Sequence, residues 1–359
     1  YEIEKASGSG ELTVFTGSYL FPALSARPGQ TYRARVRHKD SAGRYSHWSA
    51  PVEFLVSEPD VSQLVSALRV SELHYHPAPA SADEKANGWD DSDFEFIEIK
   101  NISEAMVDLT NVRFTKGVDF DFEPGTLIGP GAYQLVIKNR AAFESRYGAG
   151  LPIAGEWAFD DKLSNGGENL KLSLGAGTAV IEFEYDDAPP WPTAPDGEGP
   201  SLTLICPDET LPVHHADPFA WWASRLYGGT PGWEDHIDFM SWATENGLEA
   251  DASLFDDPDG DGMNNLLEYA LASNPIVASN EDLPLGGRLN VEVNGSIDSY
   301  LTLSFRRQVG AKDLSYWVEV SNDLESWQAD VAVLLSSTNH NDGTATEVWR
   351  SPLPVSSQA

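Results

Sequence analysis

Apolar residues in this chain come in short alternating runs, and glycine or proline soon interrupts them. Leu170, Leu172 and Leu174 alternate with Lys171 and Ser173, and Ile181, Phe183 and Tyr185 repeat the pattern. Gly129-Pro130-Gly131 and Asn165-Gly166-Gly167 are typical interruptions. A period of two places every second side chain on one face, the pattern of a half-buried strand. Runs this short cannot make long helices, and many short strands with frequent turns predict two packed sheets. Phe94-Glu95-Phe96-Ile97-Glu98-Ile99 and Gln134 to Ile137 add further strands, and one short helix is expected around Asn139 to Tyr147. A chain of 359 residues suits two or three such domains. Its 11% aromatic content, including 11 tryptophans, supplies the side chains to fill their cores.

The tract Leu68 to Pro77 is followed by Phe94 to Asn101, Leu163 to Glu168, Trp191-Pro192 and Asp196 to Leu202. In order and spacing these segments resemble a lamin-tail domain, over about 140 residues. The resemblance implies an immunoglobulin-like sandwich at 68–215 and no enzyme, in the manner of accessory modules of large exported bacterial proteins. Ser81 to Asp91 is an insertion relative to that pattern.

Upstream, Tyr32, Ala34 and Val36 alternate with Arg33, Arg35 and Arg37, and Asp40 to Gly43 makes a turn before Trp48 and Val52 to Val56. Residues 1–56 thus resemble the last strands of a fibronectin type III module. The arginines read as a solvated strand face with guanidinium groups stacked on Trp48. Polar residues 57–67 read as a linker. Trp221-Trp222, Gly228-Gly229 and Trp233 make 216–235 an aromatic docking segment expected to pack on a neighbouring domain.

Asp257-Pro258-Asp259-Gly260-Asp261-Gly262-Met263-Asn264-Asn265-Leu266-Leu267-Glu268 fits a twelve-residue calcium loop. Carboxylates stand at positions 1, 3 and 5, glycine at the sharp turn of position 6, and a bidentate glutamate at 12. Asp257, Asp259, Asp261, the Met263 carbonyl, Asn265 and Glu268 are the expected ligands. Hard oxygen donors in this number suit Ca²⁺ over a softer metal. Asn264 at position 8 is polar, so the loop resembles single dockerin-type or thrombospondin-type-3-like loops, with an expected dissociation constant on the order of 10⁻⁴ to 10⁻³ M. Helices are expected on both sides within 236–276, the first with Asp235 as N-cap and Phe239, Trp242 and Ala243 on one face, the second over Asn264 to Ala272. Leu301, Leu303 and Phe305, then Tyr316, Val318 and Val320, predict a terminal β-sandwich at 285–356. The expected fold class is therefore mainly β: tandem sandwiches with a helix–calcium loop–helix between them.

A formal net charge of −33 repels phosphates and anionic headgroups, which weighs against nucleic-acid and membrane partners. No apolar run is long enough to span a bilayer. The single cysteine, Cys206, cannot form an intrachain disulfide and reads as a small buried hydrophobe. No nucleophile elbow, phosphate loop, dinucleotide fingerprint or His-Glu-x-x-His helix occurs. His74 and His76 share a strand face with Glu72 but lack the further ligands a zinc site needs. The expectation is a non-catalytic structural or interaction region of a larger exported or cell-surface bacterial polypeptide. Calcium would rigidify a joint between β-domains, with an unidentified protein or glycan as partner. The competing expectation is a glycan-binding or adhesive accessory module of a secreted enzyme or kinase-like protein, which requires an exposed row formed by Trp191, Trp221 or Trp222.

Overall fold

The computed structural model describes residues 27–355, except 159, 250 and 341. Its centre is a sandwich of two sheets. The larger has six strands in the order Ile153–Glu156, Tyr133–Ile137, Phe96–Asn101, Leu68–His74, Leu202–Leu204 and Trp221–Ala223. The smaller has four, in the order Thr178–Tyr185, Glu168–Leu174, Val112–Lys116 and Phe120–Asp121. In the larger sheet only the Ile153–Glu156 and Tyr133–Ile137 pair is parallel. The alternating residues face each other across the sandwich: Val70, Leu73, Ile97 and Ile99 from one sheet meet Phe114, Leu170, Leu172, Ile181 and Phe183 from the other.

The expected helix forms at Arg140–Tyr147, capped by the Asn139 side chain. The insertion is ordered by its own polar residues. Ser81 and Glu84 make a reciprocal capping box on the helix Ala82–Ala86, and Arg146 holds Glu84 at 2.7 Å while lying over the Phe94 ring. The tract expected to be a linker is helical over Ser62–Ala67, and Val61, Leu64 and Val65 pack against the sandwich core.

In residues 27–56, Thr31–Ala34 pairs with Val52–Leu55. The strand ends earlier than the alternation predicts, and Val36 is exposed. Arg35 and Arg37 lie 4.4 and 4.5 Å from the Trp48 ring, as expected of stacked guanidinium groups. The rest of the expected fibronectin-like module, residues 1–26, lies outside the described residues.

The docking segment is part of the fold it was expected to dock on. Trp221–Ala223 is the sixth strand of the larger sheet. Trp221 stacks on Phe183 inside the sandwich, and Trp222 on the opposite face packs with Val309 and Ala345 of the terminal module. With Trp191, Trp221 and Trp222 only 8, 1 and 1% exposed, the tryptophan row of the glycan-binding expectation does not exist. Burying that much ring surface is worth more to the core than to a platform that needs it wet.

The terminal module is one antiparallel sheet in the order Leu285–Val293, Ser296–Gln308, Thr344–Arg350 and Val333–Asn339. Its expected second sheet is absent among the described residues. Tyr316 to Val320 makes only a single bridge, Val320 to Gln328. The sheet buries Leu303, Phe305 and Trp349 instead against Tyr316, Val318, Met263 and Leu271. A lone sheet must cover one apolar face, and the cover here comes from the acidic loop and its exit helix.

Candidate metal centre

The helix before the loop is Phe239–Glu245. Its N-cap is Asp238, which accepts the Ser241 N–H at 2.7 Å, and not Asp235. Asp235 lies upstream, buried, accepting the Arg225 N–H at 2.8 Å, and burial pushes its carboxyl up to about 6. Phe239, Trp242 and Ala243 face inward, as their spacing predicts, onto Tyr269 of the exit helix Asn265–Leu271. Asn264 caps that helix by accepting the Leu267 N–H at 3.0 Å. Position 8 is polar because it is the cap.

Between the helices the chain is folded by its own carboxylates. Asp257 accepts from the N–H groups of Gly260 and Gly262 at 2.8 and 3.0 Å. Asp259 accepts from Asp261 N–H at 3.2 Å, and Asp261 from Met263 N–H at 2.8 Å. The second Asp261 oxygen holds Ser279 N–H at 2.9 Å, a partner that no spacing rule indicates. Gly262 has φ +96°, which a side chain would strain. The result is one oxygen from each of Asp257, Asp259 and Asp261 within 4.8 Å of the others.

Glu268 adds a fourth carboxylate near these three. It is fully buried, and neither oxygen has a hydrogen-bond donor. Burial, then Asp259, Asp261 and Asp257, push its carboxyl up to about 7. Asn265 donates its amide to Ser253 O at 2.8 Å, which leaves its Oδ1 buried and without a donor, as is Asp259 Oδ2. Met263 points its side chain into the terminal module, so only its carbonyl could serve the loop. Buried polar atoms are almost always satisfied, and these four acceptor oxygens, on Asp259, Asn265 and Glu268, have no hydrogen-bond partner. Oxygens from carboxylate, amide and carbonyl groups are the donor set for a hard divalent ion. Of the six residues named from spacing, the structure clusters the carboxylates of Asp257, Asp259 and Asp261, with Glu268 close enough to feel all three charges.

The other polar candidates are structural. His74 is buried beside Tyr147 Oη at 3.2 Å, and burial, then Arg146, push it down to about 3. His76 instead contacts Asp196 at 2.5 Å and Asp91 at 3.5 Å, so the two histidines share no ligand position. His215 is buried with its Nε2 accepting the Val70 N–H at 3.1 Å. Cys206 is half-buried, less enclosed than expected, in a turn with φ +45° that the preceding strand cannot extend through.

Residues 62–187 match the family model of the Lamin Tail Domain, which covers the sandwich from the Ser62–Ala67 helix through the Thr178–Tyr185 strand. The match bears out the lamin-tail resemblance for that segment. No curated protein and no solved structure matches the chain. Among the described residues no helix is long and apolar enough to cross a membrane.

Proposed function

We propose that residues 257–268 hold one Ca²⁺ and that the chain is a non-catalytic structural or interaction region of a larger exported or cell-surface bacterial protein. The observation that carries the calcium reading is the buried Glu268 carboxylate, which faces Asp257, Asp259 and Asp261 with no donor on either oxygen. Asp257, Asp259, Asp261, the Met263 carbonyl, Asn265 and Glu268 are the ligands. The non-catalytic reading is supported by the lamin-tail match, a family of immunoglobulin-like interaction modules. The exported reading rests on the calcium loop together with the resemblance to modules of exported bacterial proteins. A site with a dissociation constant on the order of 10⁻⁴ to 10⁻³ M fills outside cells and empties in a calcium-poor cytosol.

The ion's place in the fold differs from a hinge between two β-domains. Met263 within the loop and Leu271 just after it help form the layer that covers Phe305 of the terminal sheet. The joint with the lamin-tail sandwich is made elsewhere, by Trp222. Calcium therefore acts first on the terminal module. Binding only to the folded form adds about 1.4 kcal/mol at ten times the dissociation constant.

Calcium titration by calorimetry on the wild-type chain and on Glu268→Gln tests this. One site in the wild type, lost in the variant, with a calcium-dependent rise in melting temperature, is the expected result. No heat at millimolar calcium would reduce the loop to an acidic turn and leave export resting on the module resemblances alone.

A further inference from the structure

Glu72 and Glu98 are cross-strand neighbours at the centre of the six-stranded sheet, on the face away from the sandwich core. Each is 1% exposed, and among the described residues neither makes an ion pair. Both are covered by the segment Gly228 to Trp233. Glu72 accepts from Ser201 Oγ at 2.5 Å, Thr230 N–H at 2.8 Å and Thr230 Oγ1 at 3.2 Å. Glu98 accepts from Ser71 Oγ at 2.6 Å and Gly232 N–H at 2.5 Å. The approach is close enough that a Cβ on Gly229 would lie 2.1 Å from Glu72 Oε1.

Two carboxylates side by side in a dry site do not both ionise readily. The surrounding charges do not remove the conflict. Lys100, two residues along the Glu98 strand, gives its ammonium to Asp208 at 2.9 Å and Glu234 at 3.4 Å. Asp235 acts on Glu72 from the docked segment and raises it further. Tyr147 and Tyr133 are neutral phenols here, raised by burial. His74 is held neutral by burial, and Arg146 is committed to Glu84. The hydroxyls of Ser71, Ser201 and Thr230 can turn to accept from a protonated carboxyl, so the site accommodates a proton without breaking the backbone bonds.

We infer that the Glu72–Glu98 pair is a proton-operated clasp: it holds Gly228 to Trp233 on the sheet while the pair keeps a proton and loosens it when both carboxylates ionise. The consequence reaches the second module, because Glu234 follows the clasped residues and contacts both Lys100 and Lys312. Loss of the proton therefore slackens this tie between the lamin-tail sandwich and the terminal sheet.

The direction follows from the folded acidities. Burial pushes Glu72 from 4.5 up to about 8, and burial, then Glu72, hold Glu98 well above 4.5. The clasp is thus fully stabilising below about 4.5 and loses that contribution as pH rises through about 8.

Hydrogen exchange of the Thr230 and Gly232 amides between pH 6 and 9, corrected for intrinsic exchange, reads this directly. The expected opening constant rises by up to about tenfold per pH unit in the wild type. It should stay nearly flat in the double variant Glu72→Gln/Glu98→Gln, which leaves no carboxyl under the segment, while the amides of Ile99 and Val136 hold their protection. Glu95, a second buried glutamate pushed up to about 8, bonds Leu163 and not the clasp, so Glu95→Gln should keep the wild-type profile. If the glutamine variants do not fold, the wild-type profile against Ile99 and Val136 decides. A flat wild-type profile, or one abolished by Glu95→Gln, overturns the clasp.

Discussion

Glu268 shows what one buried carboxylate does to the chain that carries it. It sits without donors among three aspartates, so in calcium-free buffer it is a burden on the folded state. Removing its charge relieves that burden, and the same change removes the closing ligand of the proposed ion. Glu268→Gln is therefore expected to cross the wild type: more stable by about 1–3 kcal/mol in chelator, and less stable in excess calcium. Urea denaturation with and without calcium checks it. A variant less stable in both conditions would mean that the carboxylate has a partner in the calcium-free protein. Arg35 and Arg37 illustrate the opposite case, where stacking on Trp48 accounts for a basic stripe without any ligand.

At the scale of elements, the exit helix Asn265–Leu271 is too short to stand alone. It is held by its cap and by what it packs on. Tyr269 is buried, with its hydroxyl on Ile237 O at 3.1 Å and Asp313 at 2.6 Å, and Tyr316 Oη donates to Ala270 O at 2.7 Å. Glu268 lies in the first turn, so the Asn264 cap and the proposed ion would act on the same few residues. Asn264→Ala should cost about 1 kcal/mol of stability and also weaken calcium binding, measured by denaturation and calorimetry on the same preparation. Unchanged calcium affinity would separate the helix start from the site. The terminal sheet makes the complementary point. Its strands form by alternation, but the layer over them is a helix and an extended tract, chosen by proximity.

Across the whole molecule, the lamin-tail sandwich and the terminal sheet meet through Trp222. Gly310 has φ +73°, and a Cβ there would come within 2.5 Å of the Trp222 ring, so the two are fitted closely. Arg225 to Glu245 at 2.6 Å and Lys312 to Glu234 add charged ties around the contact. The charged ties are partly exposed and contribute little each, so the buried indole dominates. Trp222→Ala should cost about 3–5 kcal/mol, with the loss concentrated at the joint. Calorimetry is expected to show one unfolding transition in the wild type and two in the variant. A single, uniformly lowered transition in Trp222→Ala would mean that the modules are coupled by other contacts.

Sequence alone determined those features whose physics is local. Alternation along a strand, a cap such as Asn139, and carboxylates at fixed offsets around Gly262 all act within a dozen residues, so spacing reveals them. That was enough for the sandwich, the Arg140–Tyr147 helix and the cluster of Asp257, Asp259 and Asp261 in the acidic loop. Other features depend on residues far apart in the chain, and only the tertiary structure decided them. Trp221 and Trp222 look alike in sequence, yet sheet pairing turns one into the sandwich and the other onto the terminal module. Asp235 is the expected cap, but the helix begins at Phe239 with Trp242 packed inward, so Asp238 caps it instead. Glu72 and Glu98 read as polar positions of two strands. They become a buried pair only when the strands are in register and a segment more than 100 residues away folds over them.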